Sequence, residues 1–130
     1  MALVKLIEYA EAPPSVRAVY EDIMRTRATD RVNNFWKALA NDPALLERTW
    51  AQVKQVMAPG ALDPLVKEMV YLAVSATNGC EYCTHSHTAA ARAKGMTEAM
   101  LMELMAVVAL ANATNRLANG LRVPVDPQFL

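Results

Sequence analysis

The sequence predicts an all-α fold, a single-domain helical bundle of about six helices over residues 1–130. Three observations carry that prediction. Strong helix formers (Ala, Leu, Met, Glu, Lys and Arg) fill the long segments, and only 4 glycines interrupt the chain. Apolar residues recur at helical spacing in one segment after another. No stretch alternates with period two between hairpin-type turns. At 14.3 kDa the chain is long enough to bury a core without staples.

Taken in order, the first dozen residues read as an extended lead-in closed by Glu11-Ala12-Pro13-Pro14, because tandem prolines block helix propagation. Ser15 is expected to cap a first helix with the stripe Val16, Val19, Tyr20, Ile23 and Met24, fading near Thr29-Asp30. Val32, Phe35, Trp36 and Leu39 predict a short second helix ending around Asn41. Asp42-Pro43 is a cap followed by a first-turn proline, and Pro59-Gly60 stops the helix that it opens. Asp63-Pro64 repeats the start signal. The segment after it, Leu65 to Ala76, is apolar nearly all round and is expected in the interior of the bundle. Asn78-Gly79 ends it.

Cys80 stands at or just inside the start of the next helix, predicted from about Glu81 to Lys94 with Gly95 as its cap. Thr97 opens a start, and the last long helix carries Met100, Leu101, Leu104, Met105, Val108 and Leu110–Ala111, with an end near Gly120. Val123 to Pro127 reads as an extended tail. The many Ala and Met faces exceed what one short bundle covers, so a homo-oligomer is expected.

Composition excludes several function classes. Acidic and basic residues balance at 13 each, so no net field gathers nucleic acid or an anionic membrane. Aromatic residues are too few for a base-stacking platform. The longest apolar run, Leu104 to Ala111, falls well short of the ~20 residues that span a bilayer. Lys5 and Glu8 interrupt the apolar N-terminus, which argues against a secretory leader and makes the cytoplasm the expected compartment.

The chemistry is concentrated in Asn78-Gly79-Cys80-Glu81-Tyr82-Cys83-Thr84-His85-Ser86-His87, which holds both cysteines and both histidines. Cys83 and His87, at i and i+4, share a helix face, and Cys80 lies near that face at the helix N-terminus. There the macrodipole and free N–H groups stabilise a thiolate, and His87 can take a thiol proton. His85 points away from that face. Glu68, a carboxylate within the apolar helix, must be paired or carry a raised pKa.

A Cys-x-x-Cys pair without a secretory context reads first as redox-active. A zinc site drawing on Cys80, Cys83, His87 and either Glu68 or His85 is the alternative, as a non-enzymatic zinc-binding or redox-sensing module. A small-molecule binder with inactive thiols is a third reading. Covalent haem attachment is excluded, because Thr84 follows the second cysteine. No organic cofactor is called for.

Glu68, eleven residues, Cys80-x-x-Cys83, three residues and His87 resemble the E-x11-C-x-x-C-x3-H signature of the AhpD-like alkylhydroperoxidases, within the carboxymuconolactone decarboxylase superfamily. The resemblance extends from about Asp63 to Leu121 and includes His87 to Gly95 and Asn112 to Leu121. It implies an all-helical fold assembling as a homotrimer or homohexamer, with a dithiol–disulfide cycle at the motif cysteines. The implied substrate is a hydrogen or organic peroxide; the implied partner is an external dithiol reductant, possibly a lipoyl protein.

By position, the resemblance makes Cys83 peroxidatic, Cys80 the resolving thiol, and Glu68 and His87 a proton relay. Helix position favours Cys80 as the thiol of lower pKa, so the order of the two cysteines stays open. Some members carry a histidine directly before the second cysteine; Tyr82 stands there. The decarboxylase branch lacks the cysteine pair, so the resemblance points away from lactone decarboxylation.

Overall fold

The computed structural model describes all residues from Met1 to Leu130, and the chain is all-α, with six helices and no strand. Its residues group into two compact units, Met1–Ala58 and Pro59–Leu130.

The first unit contains α1 (Pro14–Arg27), α2 (Asn34–Leu39) and α3 (Pro43–Met57). Ser15 does not cap α1: Pro13 occupies the cap position and Pro14 starts the helix, where a missing N–H costs nothing because that donor has no intrahelical partner. Ala28, in the left-handed region at φ 49°, ends α1 two residues earlier than the polar run suggests. The lead-in is extended except for a single 3-10 turn at Tyr9–Glu11. Asp42 caps α3 as expected, its carboxylate accepting from the Leu45 N–H.

Val16, Tyr20, Ile23, Trp36, Leu46 and Trp50 form the core of this unit. The two tryptophans meet edge to face, with centroids 5.4 Å apart. The polar ends of the core side chains are satisfied: Tyr20 donates to the Ile7 carbonyl at 2.8 Å, and the Trp50 indole N–H donates to Asp22 at 2.7 Å.

The second unit contains α4 (Pro64–Asn78), α5 (Glu81–Ala93) and α6 (Glu98–Gly120), followed by a 3-10 turn at Pro127–Phe129 where the sequence suggested only an extended tail. Leu72, Ala91 and Met96 are buried, and Leu65, Met69, Met100, Leu101, Leu104 and Met105 pack on them.

The expectation that α4 lies wholly inside is corrected. Only Glu68, Leu72 and Ser75 are buried, while Val66, Val70 and Val74 are 42%, 52% and 54% exposed. Three helices leave α4 one covered face; hydrophobicity on the other face does not by itself supply a neighbour. Similarly, α6 buries no residue fully, and Val107, Leu110 and Leu117 stand exposed along it. No helix is long and apolar enough to cross a membrane.

Candidate functional site

Two adjacent residues build the corner on which the site depends. Gly79 ends α4 in the left-handed conformation at φ 71°, and the Cys80 N–H closes back on the Ser75 carbonyl at 3.0 Å. This is a Schellman-type stop, and glycine enters it without the penalty that a Cβ imposes. Cys80 then caps α5 directly: its carbonyl accepts from the Thr84 N–H at 2.9 Å and its sulfur from the Cys83 N–H at 3.3 Å. With almost no loop between them, α4 and α5 pack side by side, and residues well back along α4 meet residues well along α5.

Cys80 and Cys83 are joined as a disulfide across the first turn of α5, with Cα atoms 5.3 Å apart. Further along, the imidazole Nδ1 of His87 lies 2.7 Å from Glu68 Oε2. The Lys94 ammonium is 3.5 Å from the other carboxylate oxygen, Oε1. The ring of Tyr71 stacks on that of His87, with centroids 3.6 Å apart and planes 22° from parallel. His85 is exposed.

Burial pushes the Glu68 carboxyl toward a higher pKa, but the hydrogen bond and charge of His87 and the charge of Lys94 outweigh it, and the pKa lies below the ordinary value. Of the two outcomes expected for Glu68, pairing is therefore the one realised. An ionised carboxylate can only accept, so Nδ1 of His87 carries the proton toward Glu68 and Nε2 is left as the basic nitrogen.

The structure brings Glu68 and His87 into direct contact and places the cysteine pair one to two turns before His87 on α5. It gathers no group of three or more His, Cys, Asp or Glu side chains arranged to hold a metal ion. With both sulfurs bonded to each other, neither serves as a thiolate ligand in this state.

Sequence reasoning missed Tyr71 and Lys94. Both were within reach of the helical-spacing rule: Tyr71 is three residues after Glu68, and Lys94 is seven after His87, so each shares a face with a motif residue.

A profile of the carboxymuconolactone decarboxylase family matches residues 43–126, more than half of the chain. The chain belongs to the carboxymuconolactone decarboxylase family. Within the family its likeness is to AhpD proteins. It is 40% identical over 73 residues to the alkyl hydroperoxide reductase AhpD of Solibacter usitatus, covering 56% of this chain and 40% of that one. It is 29% identical over 107 residues to the AhpD of Anaeromyxobacter dehalogenans strain 2CP-C, covering 80% and 56%.

A crystal structure of an alkylhydroperoxidase AhpD core from Rhodospirillum rubrum superposes with a TM-score of 0.96 at 58% identity, over 99% of this chain and 97% of that one. The chain spans 40% to 56% of the length of the curated relatives that it matches.

As a carboxymuconolactone decarboxylase family member of the AhpD-like kind, the chain holds the four motif residues on α4 and α5 alone. His87, half-buried and held by Glu68 of α4, and the disulfide lie on neighbouring turns of α5. Such an arrangement can move a proton to or from a thiol while the sulfurs are cycled between oxidised and reduced.

Proposed function

We propose that this protein is a thiol-dependent alkyl hydroperoxidase in which Cys80 and Cys83 cycle between dithiol and disulfide, with Glu68 and His87 as the proton relay. The observation that carries the reading is the Cys80–Cys83 disulfide one helix turn from a half-buried His87 paired with the buried Glu68. In the reduced form Cys83 precedes His87 by one turn on the same face, so the thiol proton passes to Nε2 of His87, whose Nδ1–H is held by Glu68.

The Cys83 thiolate attacks an oxygen of the hydroperoxide and the O–O bond breaks. The departing alkoxide takes the proton back from His87 and leaves as an alcohol, or as water when the substrate is hydrogen peroxide. Cys83 is then a sulfenic acid. The Cys80 thiol attacks that sulfur, its proton and the hydroxyl leave as water, and the disulfide forms. An external dithiol, by resemblance that of a lipoyl protein, reduces it by exchange.

The motif region 63–121 would be the catalytic part of one domain spanning 1–130. It would act in the cytoplasm as a homotrimer or homohexamer, with the apolar faces of α4 and α6 as the surfaces available for assembly.

Peroxide consumption driven by dithiothreitol or dihydrolipoamide tests the activity. Wild-type protein should turn over, and Cys80→Ser or Cys83→Ser should lose at least about a hundredfold in rate. Turnover retained in both variants would sink the mechanism. The order of the cysteines is read separately by trapping the sulfenic acid with dimedone. Cys80→Ser should label and Cys83→Ser should not; the reverse pattern makes Cys80 peroxidatic, as its place at the helix N-terminus favours.

A further inference from the structure

Glu68 has two carboxylate oxygens and, in this fold, two different partners for them. Oε2 takes His87 Nδ1 at 2.7 Å, and Oε1 faces Lys94 Nζ at 3.5 Å. We infer that Lys94, which lies outside the cysteine–histidine–glutamate motif, is a positioning residue for the relay: its ammonium occupies Oε1, directs Oε2 to His87 Nδ1, and so fixes Nε2 as the imidazole nitrogen left free for the thiol. The inference rests on the peroxidase reading above only for its consequence in turnover; the positioning itself is a property of the folded chain.

The placement of Lys94 follows from the end of α5. Lys94 is the cap residue of that helix, and its N–H closes on the Ala91 carbonyl at 3.0 Å. Gly95 follows at φ 105° and turns the chain toward Met96, which is buried. The backbone at Lys94 is therefore fixed by the stop of α5 and the anchoring of Met96. Its side chain, 41% exposed, runs back to a carboxylate that is 9% exposed. A long amphipathic side chain suits this task, because its methylenes cover apolar surface while its head reaches the charge.

The titratable groups that face Glu68 are few. From α4 itself comes Tyr71, stacked on the imidazole; from α5 come His87 and, at its cap, Lys94. Arg92, also on α5, is paired with Glu98 at 3.0 Å. From α6 the neighbouring core receives Met100, Leu101, Leu104 and Met105, all uncharged. The cations acting on Glu68 are thus His87, when protonated, and Lys94. Removing Lys94 takes away a cation that lowers the Glu68 pKa and leaves Oε1 without its partner, so the carboxylate is no longer held with Oε2 toward His87 Nδ1.

The experiment reads the His87 tautomer by two-bond proton–nitrogen-15 NMR correlation in the disulfide form of the full chain, with the ring neutral, comparing wild type, Lys94→Gln and Lys94→Arg. Wild type and Lys94→Arg should carry the proton on Nδ1, and Lys94→Gln should move a substantial share of it to Nε2. In peroxide turnover Lys94→Gln should lose about threefold or more in kcat with KM nearly unchanged, because the basic nitrogen is then less often the one left free for the thiol. A lowered thermal midpoint with an unmoved tautomer would make Lys94 merely structural and overturn the inference. If wild-type protein consumes no peroxide, the peroxidase reading falls, while the tautomer still decides for or against Lys94.

Discussion

A carboxylate packed between apolar helices must be matched by donors or lose its charge, since desolvating an unpaired one costs several kcal/mol. Glu68 is matched twice, by His87 and by Lys94. Because folding lowers its pKa, its contribution to stability is fully present above the unfolded value of 4.5 and is lost as the pH falls through the lower folded one. Glu68→Gln should therefore flatten the acid limb of stability below about pH 4.5, read as urea midpoints across that range. An acid limb as steep as wild type would mean that Glu68 is not the group responsible. The same variant should slow turnover by at least about tenfold, because a neutral amide no longer holds Nδ1–H as a carboxylate does; a wild-type rate removes Glu68 from the relay.

Asp22 repeats the logic in the first unit. Hydrogen bonds from Lys54 and Trp50 lead the effects that hold its pKa down to about 2. Its stabilisation is present above the ordinary value of 3.8 and fades between there and about 2. Asp22→Asn is expected to cost of order 1 kcal/mol at neutral pH and almost nothing near pH 2.

Among the elements, the helix boundaries that carry side-chain caps were legible. Asp42 and Asp63 cap α3 and α4, and Thr97 caps α6, each accepting a backbone N–H two or three residues on. These are local chemistry and need no knowledge of the fold. The start of α1 was misplaced because two prolines fix the backbone without any side-chain cap to read. The two 3-10 turns were missed because three residues carry no periodicity.

The burial of α4 was over-read for a different reason. Sequence records how apolar a helix is, whereas burial depends on how many neighbours the chain brings to it. In the site the motif residues were legible by spacing; Tyr71 and Lys94 share a face with them by the same rule, but a tyrosine on an apolar helix and a lysine before a glycine look ordinary until the partner helix is in place. One element-level outcome follows from the corner at Gly79. A Cβ there meets no atom within 4 Å, so Gly79→Ala is penalised by backbone conformation alone, about 1 kcal/mol. Gly79→Asn should recover part of that loss, because asparagine visits the left-handed region more readily. Equal urea midpoints for wild type and Gly79→Ala would show that the corner tolerates a Cβ without cost.

For the whole molecule, the fold class was legible, because its signals are patterns repeated along the entire chain. What lay beyond it was the surface. Val66, Val70 and Val74 on α4 and Val107, Leu110 and Leu117 on α6 expose more large aliphatic side chains than a lone bundle of this size ordinarily tolerates. Sedimentation equilibrium at micromolar concentration should give a mass of three or six times 14.3 kDa. Leu110→Glu combined with Leu117→Glu should shift the population toward single chains. A wild-type protein that sediments as a monomer would remove assembly from the proposed function.

Both tryptophans, Trp36 and Trp50, belong to the first unit, while both cysteines and both histidines belong to the second. The chain's tryptophans and its cysteines therefore report on different units. Tryptophan-selective emission reports on Met1–Ala58, and thiol reactivity of the reduced protein reports on the unit that begins at Pro59. Unfolding curves taken by the two signals will coincide only if the units melt together. Any change in emission on reducing the disulfide is a direct optical measure of communication from one half of the chain to the other.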